Sequence, residues 1–160
     1  MKMHRPVLAR AVLSLLVAML GGLLGGSSAV ADSSVAIAIS GTVDGTPESV
    51  YVSGLAQITS SLVKTDPKFN HPPRVILSID LHNVTGKGLS TGATYVTKAQ
   101  DELLRPLAPS DLVAIAFPFY PNTAVGFRSA RAGLASFKLS FDVTTGNITG
   151  GTATVSTPSF

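Results

Sequence analysis

The 160-residue sequence contains no cysteine and no tryptophan, and only 13% of its residues are charged. The missing cysteines exclude disulfides, thiol redox chemistry, iron–sulfur clusters and thiolate zinc sites. Stability must then come from apolar burial and backbone hydrogen bonding. Histidine is nearly absent as well: of three, only His71 and His82 lie beyond the N-terminal segment. Two imidazoles leave little scope for metal binding or for acid–base catalysis near neutral pH. The lack of tryptophan, with only three tyrosines, argues against an outer-membrane barrel, whose interfaces need aromatic girdles. The chain does end in an aromatic residue, Phe160, as exported barrels often do. The residues two apart from it, however, are Pro158, Ser156, Thr154 and Thr152, where a lipid-facing row needs apolar side chains. No stable membrane insertion of the mature chain is expected.

The N-terminus reads as a secretory signal. Lys2, Arg5 and Arg10 form a basic region, Ala11–Gly26 an apolar core interrupted by glycine pairs, and Ala29-Val30-Ala31 a small-x-small cleavage site. This predicts a helical signal peptide over 1–31, cleavage after Ala31, and one domain over 32–160. With no Arg-Arg pair, the Sec route fits better than the twin-arginine route. With no cysteine after the apolar core, a lipid anchor is excluded. The expected destination is the periplasm or the exterior. Removing the leader also removes the positive charge. The formal charge of +3 belongs to Lys2, Arg5 and Arg10, and the chain beyond Ala31 carries nine residues of each sign. A neutral mature chain gives no electrostatic footprint for nucleic acid.

Beyond the leader, Thr, Ser, Val and Gly punctuate β-prone runs. Val35–Ile39 alternates large and small residues, and Asp44-Gly45 marks a turn. A long strand runs from Ser49 to about Val63, and then a proline-rich loop over 64–73. Arg74 to Asn83 places Val75, Leu77, Ile79 and Leu81 on one face, with Ser78, Asp80 and His82 on the other. Gly86–Gly92 reads as a loop and Ala93–Lys98 as a strand. Ala99–Arg105 reads as about one helical turn ended by Pro106. Asp111–Phe119 is apolar on both faces, the pattern of a strand covered on both sides. Ala135–Val143 alternates with polar residues and returns through a turn at Gly146-Asn147. About eight strands at even spacing predict an all-β, antiparallel β-sandwich, or alternatively a small closed barrel.

Four groups of residues bear on function. Gly88-Leu89-Ser90-Thr91-Gly92 matches G-x-S-x-G, with Asp80 and His82 upstream. A nucleophile elbow needs a helix next, yet β-prone Ala93–Thr97 comes there, so Ser90 fits a turn better than a small secreted hydrolase. Asp80 and His82 sit two apart on one strand face, as two metal ligands would. A site needs a third, for which His71 or Asp66 are the candidates. Phe117, Phe119 and Tyr120, stiffened by Pro118 and Pro121, read as an aromatic binding edge with Arg128 and Arg131 as anion contacts; packing into a core is the competing reading. Acidic turns at Asp44 and Asp142 lack the ligand spacing of a calcium loop. Asn83-Val84-Thr85 and Asn147-Ile148-Thr149 match the glycosylation pattern, which arises easily in threonine-rich sequence.

No cofactor is implied, and the ligand or partner is not specified. The sequence leaves an exported non-catalytic binding or structural module as the leading expectation. Its alternatives are an apolar-ligand carrier, with a cavity lined by residues such as Val113, Ile115, Phe137 and Phe141, and the Ser90 hydrolase. An exposed edge strand would also offer a route to self-association.

Overall fold

A computed structural model describes residues 32–63 and 71–159. Residues 1–31, read above as a helical signal peptide, lie outside the described residues, as do Asp66 and Phe160. Eight strands succeed one another: β1 (Ser33–Val43), β2 (Val50–Val63), β3 (Arg74–Gly88), β4 (Thr94–Val96), β5 (Gln100–Pro106), β6 (Ser110–Pro121), β7 (Arg131–Phe141) and β8 (Ile148–Ser156). Their order is β2-β1-β8-β7-β6-β4-β3-β5, and β2 also pairs with β3. That extra pairing closes seven strands into a barrel and leaves β5 outside, hydrogen-bonded to β3 alone. The all-β expectation is met in its closed-barrel form.

The barrel resembles two antiparallel sheets joined along narrow seams. One seam is a parallel contact between β1 and β8 at Gly41 and Val155. The other is the β4–β6 ladder, Tyr95 with Pro121 and Val96 with Tyr120. Gly41 is required at the first seam, because a Cβ there would lie 1.9 Å from the Val155 carbonyl oxygen. By contrast, β1 pairs with β2 along its whole length, from Ser33–Ser60 to Val43–Val50.

Alternation along the strands sends one row of side chains inward. Ile37, Ile39, Ile58, Leu77, Ile79, Val113, Ile115, Phe117, Phe137, Leu139 and Phe141 all belong to a single buried cluster. Removing each Leu, Ile or Phe from water stabilises the fold by about 1.5–3 kcal/mol before chain entropy is set against it. The cluster therefore supplies the drive that disulfides cannot.

β3 is longer than its sequence pattern indicates. Its inward row is Val75, Leu77, Ile79 and Leu81, and then switches parity to Val84, Gly86 and Gly88. The register explains the switch: Gln57 pairs with Asp80, but Leu55 pairs with Asn83, so β3 carries one extra residue. A β-bulge of this kind turns His82 and Asn83 outward in succession. The bulge coincides with a change of partner, since Asp80 pairs with Gln100 of β5 and Thr85 with Val96 of β4. Gly86 and Gly88, expected in a loop, thus belong to the strand. The helical turn expected over Ala99–Arg105 is instead β5. Its helix-forming residues are held extended by a ladder to β3, a tertiary override of local propensity.

β6 departs from expectation on its outer face. Val113, Ile115, Phe117 and Phe119 point inward, but Leu112 is 75% exposed and Ala114 and Ala116 face solvent. The strand is covered on one side. One of its edges is open too. Pro118 has no N–H and cannot donate to β7, so the even-numbered residues direct their polar groups away from β7. Asn122, of the same parity, donates to the Thr94 carbonyl at 2.8 Å on that side. Below Tyr120 no ladder continues among the described residues, because β5 does not pair with β6. The lower end is held by Arg105, whose Nε and Nη2 donate to the Asp111 carboxylate at 2.7 and 2.8 Å. Amide exchange followed by NMR should show Leu112, Ala114 and Ala116 exchanging faster than Val113, Ile115 and Phe117. Equal protection of both sets would contradict an open β6 edge.

Candidate functional site

Strand directions gather three loops at one end of the barrel: β1–β2 (44–49), β3–β4 (89–93) and β6–β7 (122–130). Glu48 stands among them and is 7% exposed. Its Oε2 accepts the backbone N–H groups of Ser90 and Thr91, both at 2.9 Å. Its Oε1 accepts the Thr91 hydroxyl at 2.7 Å and the Tyr95 hydroxyl at 3.1 Å. Among the described residues no Lys, Arg or His nitrogen forms an ion pair with this carboxylate. The anion is held by N–H and O–H dipoles. The Thr91 hydroxyl is the largest influence and the Thr91 amide the next, and together with Ser90 and Tyr95 they lower the Glu48 pKa to about 2. Burial raises the Tyr95 pKa, and its hydrogen bond to Glu48 adds to the effect.

The surroundings fit this role. Gly88 gives the carboxylate room, since a Cβ there would come within 2.2 Å of Oε1. Arg131 Nη1 donates to the Glu48 backbone carbonyl at 2.6 Å, and the guanidinium lies 5.3 Å from the centre of the Phe119 ring. One residue from the first loop thus binds the second loop through its side chain and β7 through its backbone.

This arrangement accounts for G-x-S-x-G without catalysis. The amides of Ser90 and Thr91 converge as an oxyanion hole would, but the chain's own carboxylate occupies them. The Asp80/His82 bulge is remote: Gly88 lies six residues along β3 from His82, about 20 Å at ~3.3 Å per residue. Ser90 is further still, and His71 precedes β3 at the opposite end. No triad assembles around Ser90 among the described residues.

Asp80 and His82 do meet, but each engages the other. Asp80 Oδ1 accepts the His82 backbone N–H at 2.7 Å and lies 2.5 Å from its Nδ1. The backbone hydrogen bond is the main reason that the Asp80 pKa is lowered. Among the described residues no three of His, Asp and Glu cluster as a metal site. The acidic turns are also internally occupied, Asp44 by the Ser49 hydroxyl and Asp142 by the Thr144 N–H.

The aromatic edge divides in two. Phe117 and Phe119 are 1% and 2% exposed, and Phe119 meets Tyr95 edge-on with ring centres 5.8 Å apart. They are core. Tyr120 is half-buried at the β4 seam. Arg128 is exposed, with its guanidinium 5.8 Å from the ring centre of Phe127. Phe127, which the sequence pattern did not single out, is 60% exposed on the short 3₁₀ turn Gly126–Ser129. Leu89 and Val125, on the same end, are 61% and 59% exposed. Phe127 lies outside any strand alternation, and that isolation was the available signal. Two shallow grooves lie on the outer wall. One of 320 Å³ runs past Leu112, Ala114, Ser136 and Thr152, and another of 360 Å³ runs past Ala116, Pro118 and Ala132 and reaches Ala130 and Arg131 at the loop end.

No family model, curated protein or solved structure matches the chain.

The folded pKa of Glu48 lies below its ordinary value of 4.5, so the anion's contribution to stability is complete above about pH 4.5 and is lost as pH falls toward 2. Thermal melts should show stability declining across that window. Glu48→Gln should melt lower at pH 7 and lose part of the acid-side slope. A variant with an unchanged melting temperature and slope would remove Glu48 from this role.

Proposed function

We propose that the chain is an exported, non-catalytic binding module that engages its partner through the loop end of the barrel. The observation that carries this reading is Phe127, largely exposed with Arg128 over its ring, with Leu89 and Val125 exposed at the same end of the barrel. Three large apolar side chains exposed on the loops of one end give that end a surface suited to contact. The frame beneath them is held in advance by Glu48, which reduces the ordering cost of binding. Export rests on the leader's three-part pattern.

The alternatives find less support. A carrier of apolar ligands needs an interior void, whereas Val113, Ile115, Phe137 and Phe141 are buried in one cluster and both grooves lie outside. A hydrolase needs a base near Ser90, and both histidines beyond the leader are remote from it. Ester turnover by wild type and by Ser90→Ala should be equal and at background. Activity lost specifically in Ser90→Ala would reinstate the enzyme.

The loop-end reading can be tested by placing photoreactive benzoylphenylalanine at position 127 or, as a control, at Val143 on the opposite end, which is comparably exposed. Irradiation in envelope extract of the source organism should give discrete adducts from position 127 and none from position 143. Identical patterns from both positions would refute the proposal.

A further inference from the structure

We infer that the loop end docks on an anionic membrane surface, a step that rests on the loop-end reading and names its partner. Three features converge. Phe127, Val125 and Leu89 present apolar tips from neighbouring loops, which are joined by the Asn122–Thr94 hydrogen bond. The groove nearest this end, past Pro118, Ala130 and Arg131, is shallow and open, and Phe127, Val125 and Leu89 are exposed rather than folded over it. The accessible charge there is mainly positive. Lys87 and Arg128 are exposed, Glu48 is buried against its four donors, and exposed Asp44 accepts the Ser49 hydroxyl.

Asp44 is the sole exposed acid among the described residues of these three loops. Exposed Asp101 and Glu102 pair with Ile79 and Ser78 on β3, roughly 30 Å along the strand from Gly88. At physiological salt this is several screening lengths, so those acids do little to oppose an anionic surface at the loop end. Arg74 and Arg105 share that ladder, so the far end is mixed in sign, while the exposed charge at the loop end keeps a small positive excess. Apolar tips flanked by cations suit a lipid interface, where the rings enter the headgroup boundary and the cations meet phosphate. Such contact is peripheral and leaves the barrel outside the hydrocarbon.

The test is co-sedimentation of the exported protein with phosphatidylcholine vesicles, with and without phosphatidylglycerol. Binding is expected with phosphatidylglycerol, and should weaken as salt rises. Phe127→Ser should weaken it roughly tenfold, on the scale of one large apolar side chain. Arg128→Gln should weaken it roughly fivefold, on the scale of one charge at the surface. Leu112→Ser, at an exposed leucine on the outer wall, should leave it unchanged. Phe127→Trp supplies the protein's sole tryptophan, and its emission should shift to shorter wavelength on the anionic vesicles. Absence of binding, an unshifted emission, or equal losses from Leu112→Ser and Phe127→Ser would overturn the inference. Protein adducts at position 127 without vesicle binding would keep the loop-end reading and remove the membrane.

Discussion

The Glu48 carboxylate is the interaction on which the arrangement of the loops depends. A buried anion with no countercharge is costly unless dipoles replace its hydration. Here two amides and two hydroxyls do so, and they come from the β3–β4 loop and β4. The loop cannot move far without exposing an unsatisfied charge, and Glu48 cannot leave without orphaning the amides. Arg131 extends the constraint to β7 through the Glu48 carbonyl. The exposed tips of Leu89 and Phe127 are therefore borne by segments that the anion and its neighbours organise.

The same carboxylate shows why motif and function separate here. The glycines of Gly88-Leu89-Ser90-Thr91-Gly92 and its converging amides would serve an anion formed in a reaction, and they serve a resident one equally well. Local sequence describes the receptor for negative charge. Which anion fills it is decided by Glu48, some forty residues earlier, and by the fold that brings it there.

Much of the architecture was legible because burial imposes periodicity. The inward rows of β3 and β7 could be read from Val75–Leu81 and Ala135–Phe141, and the turns from Asp44-Gly45 and Gly146-Asn147. Two of the misread elements share one cause: their conformation is set by distant partners. β5 consists of helix formers made extended by β3. β3 passes through Gly86 and Gly88 because a bulge resets its parity. β6 looked two-sided because small apolar residues on an exposed face cannot be told by composition from a covered one. At the site, Asp80 and His82 were correctly placed together, but their mutual hydrogen bonding was not readable. Phe117 and Phe119 drew attention by their density and proved to be core. Phe127 and Glu48 gave no periodic signal at all.

The narrow seams have a mechanical consequence. One paired position joins β1 to β8, and two join β4 to β6, while the ladders inside each half are long. Backbone pairing thus makes each half stiff and joins the halves at few positions. Their mutual alignment rests on the common apolar filling together with scattered hydrogen bonds, Arg131 to the Glu48 carbonyl, Asn122 to Thr94 and Ser33 to Ile148 among them. Temperature and solvent would then act on that alignment through the hydrophobic effect, ahead of any change in the sheets themselves.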